Sequence, residues 1–397
     1  MPVRRRAWLS REGVYFLGVL AFIIGGAILR SFNLLVVLAG MMIAALLLNW
    51  RIVMATLWGL VVERKLPAQI TAGEPLTVEL KIHNTRRSLG AWLVTVEDWV
   101  ERLDDFAPGR RAMHSWWHRL RGALGFSRVR GEALATEVAA GGVTTATYRL
   151  TLARRGRYRF GPLRVSTRFP LGLVWGHFEL EDWAELTVAP RIGRLSRQWV
   201  ALLEAELAGD QRRHPQRGVA EGDYYGLRPW QSGDSTRWIH WRSTAKLGRP
   251  TVVQFERQRN RDVALILDPW LPGNPAPQDV GHLELAVSLA ATAVADLTSR
   301  GQARLVFAVA GHSPEVWSGP ASPLFCEELL RELATLPGSA ESSLAGVLER
   351  VRDEAPRGVR TIIISPRQPQ VAADPERDNL AWIDISQPEL AELFTLA

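Results

Sequence analysis

The residues best suited to do chemistry in this 397-residue chain fall within positions 217–256, RGVAEGDYYGLRPWQSGDSTRWIHWRSTAKLGRPTVVQFE. Asp223, Asp234 and His240 could pass a proton between them, since carboxylates and imidazole are the usual acid–base groups. A membrane-bound hydrolase built on this trio is the enzymatic reading. The structural reading uses the same residues differently. Asp234 suits a helix N-cap, Arg237 follows three residues later, and Trp238, Trp241 and Ala245 share one helical face. On that reading the tryptophans plug a core, Asp234 pairs with Arg237, and Gly222, Gly226 and Gly233 serve turns. Solvent access separates the two: catalysis needs an open cleft at His240, structure needs burial. Acid–base residues occur in every domain, so a non-enzymatic role is expected. Arg228 and Lys246 are then candidates for docking a partner.

Other chemistry is sparse. The chain has no G-x-x-x-x-G-K-[ST] loop, so it is not itself a P-loop ATPase. H-E-x-x-H and G-x-S-x-G are absent too; the nearest approach, Gly311-His312-Ser313-Pro314-Glu315, lacks the second glycine. The single cysteine, Cys326, excludes a disulfide framework and multi-cysteine metal sites. No cofactor is expected.

Composition and charge place these residues in a larger plan. With 47% apolar and 22% charged residues the chain is globular, and its length suggests two or three domains. The net charge is +7, but residues 1–65 alone hold eight Arg/Lys against two Glu. The basic excess thus sits at an apolar N-terminus, and a nucleic-acid partner is not expected. Gly13 to Leu29 and Ser31 to Trp50 carry no charge, and each run can cross a ~30 Å hydrocarbon core as a helix. A signal peptide is disfavoured, because no small-residue cleavage site precedes a second span of equal strength. Residues 1–65 therefore read as a transmembrane helical hairpin with spans at about 13–29 and 31–50. Arg4, Arg5, Arg6, Arg11, Arg51, Arg64 and Lys65 flank its outer ends, and Arg30 alone sits between the spans. Positive charge stays on the cytoplasmic side, so both termini and the soluble part should be cytosolic, on a multi-pass plasma-membrane protein. Residues 52–62 should extend the second helix out of the bilayer or lie on its surface.

Residues 66–190 change to period two. Leu76, Val78, Leu80 and Ile82 alternate with polar residues, as do Val94 and Val96, Tyr148 and Leu150, Leu163 and Val165, and Leu186 and Val188. Short alternating runs with Gly/Pro turns predict an antiparallel β-sandwich-like domain. An inserted segment, 106–128, instead spaces Met113, Trp116, Trp117, Leu120 and Leu124 as a helix among arginines. It suits either an anionic leaflet surface or a helix closing one end of the sandwich. Residues 191–262 form the motif-bearing connector. From 263 to 397 buried-type strands (Val263–Leu267, Leu305–Val309, Thr361–Ile364, Ala381–Ile385) alternate with amphipathic helices, which predicts a doubly wound α/β domain of five or six strands. Charge divides at the same boundary: residues 191–261 carry 14 basic and 7 acidic groups, residues 262–397 carry 9 and 19. The whole is a multi-domain α+β protein.

The connector's pattern, G-D-Y-x-x-L-R-x-W-x-x-G-D-x-x-R-x-I-H-W-x-x-x-A-K followed by F-E, resembles the domain of unknown function 58 family. The matching positions include Gly222, Asp223, Leu227, Arg228, Gly233, Asp234, Arg237, Ile239, His240, Trp241, Ala245, Lys246 and Glu256. LPAQITAGEPLTVELKIHN and RRGRYRFGPLRVSTRFPLGL also look like that family, as does the two-helix anchor. The resemblance implies a von Willebrand factor A-like C-terminal domain. It also implies association with a MoxR-type AAA+ ATPase and a transglutaminase-like membrane protein, hence an adaptor rather than a catalyst. Factor A domains often bind Mg²⁺ through Asp-x-Ser-x-Ser; here that position reads Asp268-Pro269-Trp270-Leu271-Pro272. Trp270 and Pro272 offer no oxygen side chain, so no metal is expected at Asp268.

Overall fold

The computed structural model describes residues 4–30, 33–103, 129–204, 224–232, 234–255, 262–300, 304–355, 359–368 and 380–396. The chain divides into two units, Met1–Pro190 with Leu333–Thr335, and Arg191–Glu332 with Leu336–Ala397. Both helices and several sheets are present, so the fold is mixed α+β. The expected helix of residues 106–128 lies outside the described residues.

The first unit begins with a short strand, β1 (Arg6–Leu9), followed by two apolar helices, α1 (Arg11–Arg30) and α2 (Asn33–Trp58). Both helices are long and apolar enough to cross a membrane by length and composition. Their strands follow in order: β2 (Leu60–Lys65), β3 (Ile70–Thr71), β4 (Pro75–Asn84), β5 (Ala91–Arg102), β6 (Val129–Val138), β7 (Val143–Thr151), β8 (Gly156–Thr167), β9 (Val174–Leu180) and β10 (Ala184–Ala189). Strands β2, β4 and β7 make one antiparallel sheet. The other is a seven-stranded sheet around β8, which pairs with β5, β9 and β10 and takes in β1 through β9.

Period-two patterning builds one core from both sheets. Leu76, Val78, Leu80 and Ile82 of β4 join Val94, Val96 and Val100 of β5 and Phe160, Leu163 and Val165 of β8 in a single apolar cluster. The second helix enters the same cluster. It does not stop at Trp50 but continues to Trp58, burying Val53 and Leu57 among the strands. Of residues 52–62, expected to extend the helix or lie on the bilayer surface, 52–58 do extend it, but Leu60–Val62 leave it to pair with β4 as the start of β2, because Leu60 and Val62 alternate inward into the sheet core. β1 was not anticipated: Arg6, Ala7, Trp8 and Leu9 pair antiparallel with His177, Gly176, Trp175 and Val174.

A charged pair sits inside this apolar core. The Arg64 guanidinium donates to both Asp98 oxygens, at 2.8 and 3.0 Å, and the Tyr148 hydroxyl donates to Asp98 at 2.6 Å. The Asp98 side chain has 0% of its surface exposed and Arg64 only 1%. Burial pushes the Asp98 carboxyl up, while Arg64 and Tyr148 pull it back. The same burial raises the Tyr148 phenol, so this side chain stays a donor.

His177 carries a pH signature. Burial holds its imidazole below the ordinary histidine range, and the nearby Arg164 and Arg6 add to the effect against Glu179 and Glu97. The ring stacks on Trp175 with centroids 4.4 Å apart. A folded state that resists protonation loses stability as pH falls through about 6.5, where the unfolded chain takes up the proton, and keeps it above that value. Melting of the first unit is expected to drop between pH 7 and pH 5 by less in His177→Gln than in the wild type. Equal drops would place the acid sensitivity elsewhere.

The second unit starts with β11 (Arg194–Leu195) and helix α3 (Arg197–Glu204). Then come β12 (Tyr224–Pro229), α4 (Trp241–Leu247) and β13 (Thr251–Phe255), with β12 and β13 forming an antiparallel hairpin. The remaining elements are β14 (Val263–Leu267), α5 (Pro277–Ser299), β15 (Arg304–Ala310), β16 (Pro314–Pro320), α6 (Pro323–Thr335), α7 (Leu344–Glu354), β17 (Arg360–Ser365), β18 (Leu380–Asp384), α8 (Leu390–Leu393) and β19 (Phe394–Thr395). Five strands make one sheet in the order β16-β15-β14-β17-β18, all parallel except the edge strand β16. Every residue of β14 is buried, as expected of a strand covered on both faces. Helix α5 also meets the length and apolarity of a membrane span, but 61% of that window is buried, with Leu283, Ala286, Leu289 and Ala293 in the core. It packs on β14 and β17 as a core helix.

Candidate functional site

The connector folds as a hairpin with a helical crosspiece. Thr236–Trp238 forms one 3-10 turn capped by the Ser235 hydroxyl, and α4 starts afresh at Trp241. The expected single helix capped by Asp234 is therefore two short pieces. Their break is at His240, whose Nδ1 accepts from the Ser243 amide and caps α4, while its own amide donates to the Thr251 carbonyl. Gly248, at φ +64°, closes the helix in the left-handed conformation that glycine adopts without steric cost. A second tie, Thr251 amide to Thr244 Oγ1, pins α4 to β13.

Asp234 is held by Arg228, not by Arg237. The two Arg228 terminal nitrogens lie 2.6 and 2.7 Å from the Asp234 oxygens, a bidentate fork, and the Gln231 amide also donates to this carboxylate. These bonds raise the Arg228 pKa further. The physical reason is register: β12 aims Arg228 across the turn at residues 229–233, whereas the 3-10 turn carries Arg237 into solvent. The pair is part-exposed and contributes about 1 kcal/mol at most. Trp241 does not plug a core either, being 69% exposed, and Trp230, Leu227, Leu247, Arg237, Arg242, Lys246 and Arg249 are exposed as well. Trp241, Arg237 and Lys246 of the expected network are therefore presented to solvent, not buried. Asp234 lies on Arg228 and His240 on Ser243, so the described geometry does not join them as an acid–base pair. Asp223, Gly233 and Glu256 lie outside the described residues.

A second cluster occupies the carboxyl ends of the parallel strands. The chain moves outward from β14 through β15 to β16, then crosses back to β17 and β18 on the other side. Open α/β sheets place their crevice where the order reverses in this way. Asp268 directly follows β14 and is completely buried. Its carboxylate accepts from Ser342 Oγ at 2.9 Å, Ser365 Oγ at 2.9 Å and Arg367 Nε at 3.0 Å. The Arg367 guanidinium also lies 5.4 Å from the Trp270 ring centre, and Trp382 Nε1 donates to the Arg367 carbonyl. These residues do not fit a divalent cation. Arg367 already supplies the positive charge at the carboxylate, and the Ser342 and Ser365 hydroxyls are spent donating to it. Among the described residues no group of three or more His, Cys, Asp or Glu could hold a metal ion. Sequence reasoning missed Ser365 and Arg367, which come to Asp268 through the β14–β17 pairing, and Ser342, which is brought there by the Ser339 backbone bonds to Pro269 and Leu271.

Residues 226–388 match the model of the DUF58 family, a protein of unknown function. The DUF58 region opens inside β12 and ends just beyond β18, so it holds both the hairpin surface and the Asp268 crevice. No curated protein matches the chain. Similar solved structures include the CARDB domain of a Pyrococcus furiosus protein, 12% identical, covering 33% of this chain and 94% of that one with a TM-score of 0.19. A β-glucosidase from Listeria innocua in complex with gluconolactone is 18% identical over 32% of this chain and 16% of its own, with a TM-score of 0.20. A superoxide reductase (neelaredoxin) from Ignicoccus hospitalis is 15% identical over 32% of this chain and 80% of its own, at 0.18. Likenesses of that size carry no functional argument for the DUF58 region or the rest of the chain.

Proposed function

We propose that this chain is a membrane-anchored, non-enzymatic adaptor whose β12–α4–β13 module docks a protein partner. The observation that carries it is Trp241, 69% exposed on a helix that His240, Gly248 and Thr251 hold rigid. Large aromatic and arginine side chains on a preorganised surface are what docking sites spend their energy on. The resemblance noted in the sequence points to a MoxR-type AAA+ ATPase as partner, with a transglutaminase-like membrane protein nearby. Two sheets sharing one apolar core support a β-sandwich-like domain, and the order β16-β15-β14-β17-β18 with one antiparallel edge supports a factor A-like domain.

Detergent-extracted chain carrying Trp241→Ala or Lys246→Glu is expected to melt like the wild type and to capture the ATPase at least about tenfold less, the loss of one anchor worth ~1.4 kcal/mol or more. Unchanged capture by both variants would reject the docking role of this surface.

The anchor is read as a hairpin with both flanks cytoplasmic. Its support is β1: the strand before α1 pairs with β9, which follows α2, so both flanks lie on one side of the helices. The arginine-rich flanks favour the cytosolic side. A cysteine placed near Ala397 is expected to resist an impermeant thiol reagent in intact cells; labelling there would reverse the orientation.

A further inference from the structure

The loop from Arg168 to Leu173 joins β8 to β9, yet it is fastened to the bases of both apolar helices. The Ser10 amide donates to the Leu173 carbonyl at 3.0 Å and the Ser10 hydroxyl to the Gly172 carbonyl at 2.6 Å. From the other helix, Asn49 Oδ1 accepts from the Leu171 amide at 3.0 Å. Gly13 lies so close to the Leu173 carbonyl that no Cβ fits between them. The loop therefore sits level with Ser10 and Asn49, where the uncharged runs of α1 and α2 end.

At that level the surface has two characters. Leu171 is 54% exposed at the tip of the loop, although its amide is satisfied, and Leu9 and Trp50 are exposed beside the helix ends. Arg11, Arg51 and Arg168 are exposed too, with Arg168 and Arg11 near the exposed Glu12. An aqueous surface gains nothing from a presented leucine and tryptophan, but the boundary of a bilayer does. Apolar tips enter the acyl edge there, and guanidinium groups reach the phosphates.

We propose that the Arg168–Leu173 loop, with Arg11 and Arg51, is a shallow membrane-contact site selective for anionic phospholipid headgroups. The proposal rests on α1 and α2 spanning the bilayer. The surface is continuous with their apolar flanks, and its net charge complements an anionic leaflet. Through it the β fold itself, and not the helices alone, touches the membrane, which fixes the soluble part against the lipid surface.

The test uses the full chain with Cys326→Ser in nanodiscs, labelled with a fluorophore at Leu171→Cys or, as a reference, at Phe22→Cys in the exposed middle of α1. A doxyl group near the headgroup is expected to quench the Leu171 probe, and a doxyl group deep in the acyl chain the Phe22 probe. In mixed discs, doxyl-phosphatidylglycerol should quench at Leu171 at least about twofold more than the same amount of doxyl-phosphatidylcholine, as basic residues near a surface attract anionic lipid. Replacing Arg11, Arg51 and Arg168 together by Gln should remove that difference. Quenching at Phe22 with none at Leu171 would overturn the contact site and leave the anchor standing. Absence of quenching at both would overturn the anchor itself. Equal quenching by the two lipids would overturn the selectivity.

Discussion

Arg64→Ala is expected to lower the stability of the first unit by about 3–5 kcal/mol, the cost of stranding a buried charge. Asp98 is wholly buried; it accepts from Arg64 at both oxygens, and from Tyr148 at Oδ2 as well. Arg64 in turn donates to the Asp182 carbonyl at 3.2 Å and lies 5.9 Å from the Phe160 ring centre. Removing the guanidinium leaves a carboxylate whose remaining strong donor is one phenol, in a site where burial already favours its protonated form. Asp98→Ala should cost somewhat less, because it leaves the buried Arg64 with only the half-exposed Asp182 carboxylate at 3.8 Å. Tyr148→Phe removes one hydrogen bond to a charged group and should cost about 1.5–3 kcal/mol. The pair itself can be nearly neutral in net terms, since burying both ions consumes most of their attraction. The double variant Arg64→Met/Asp98→Leu is accordingly expected to melt well above either single alanine variant. Thermal melting of the detergent-solubilised chain reads all four. Single variants within about 0.5 kcal/mol of the wild type would mean that water reaches the pair, and its structural role would fail.

The same pair shows what was legible in the sequence and what was not. Asp98 occupies an inward position, in phase with Val94, Val96 and Val100, and Arg64 is in phase with Leu60 and Val62. Alternation makes β5 readable, but β2 reads as the end of the membrane helix and Arg64 as one of its basic flanks, because a charge is taken by default to face water. The two charges in the inward phase were the signal. The short strand β1 had no such signal: four residues between an arginine cluster and an apolar helix read as a flank, and only pairing with β9 gives them a structure. β9 was hidden by Gly176, which removes a side chain from the alternation at a point where Val53 and Leu57 of α2 pack down on the strand. The connector was recognisable by residue type but not by partner. Local spacing suggested Asp234 with Arg237, and the hairpin chose Arg228 from across the turn.

The Asp268 crevice was half visible for a related reason. Asp268 could be placed at the end of a buried strand, but its partners lie 74, 97 and 99 positions away; two meet it once β17 has paired with β14, and Ser342 once Ser339 has bridged to Trp270. Its consequence is asymmetric. In Arg367→Ala the fully buried carboxylate keeps two hydroxyl donors and loses its counter-charge, and the expected cost to the second unit is about 3–5 kcal/mol. In Asp268→Asn the charge that loses the carboxylate is that of Arg367, whose side chain is 17% exposed and can turn toward water. The asparagine also still accepts from Ser342 or Ser365, so this variant should lose clearly less. The ordering Arg367→Ala below Asp268→Asn below wild type in melting temperature is the first readout. The second is a divalent cation. Mg²⁺ should leave the wild type unchanged, because the guanidinium already neutralises the carboxylate. In Arg367→Ala the vacated place is ringed by the oxygens of Asp268, Ser342 and Ser365, hard donors of the kind Mg²⁺ and Mn²⁺ take. Millimolar Mg²⁺ or Mn²⁺ is therefore expected to recover part of the lost melting temperature in that variant, and in Arg367→Ala/Asp268→Asn to recover none. If Arg367→Ala melts like the wild type in EDTA, the guanidinium is not the counter-charge at this crevice. If the wild type itself is stabilised by Mg²⁺ and Asp268→Asn is not, the crevice takes a metal despite Arg367.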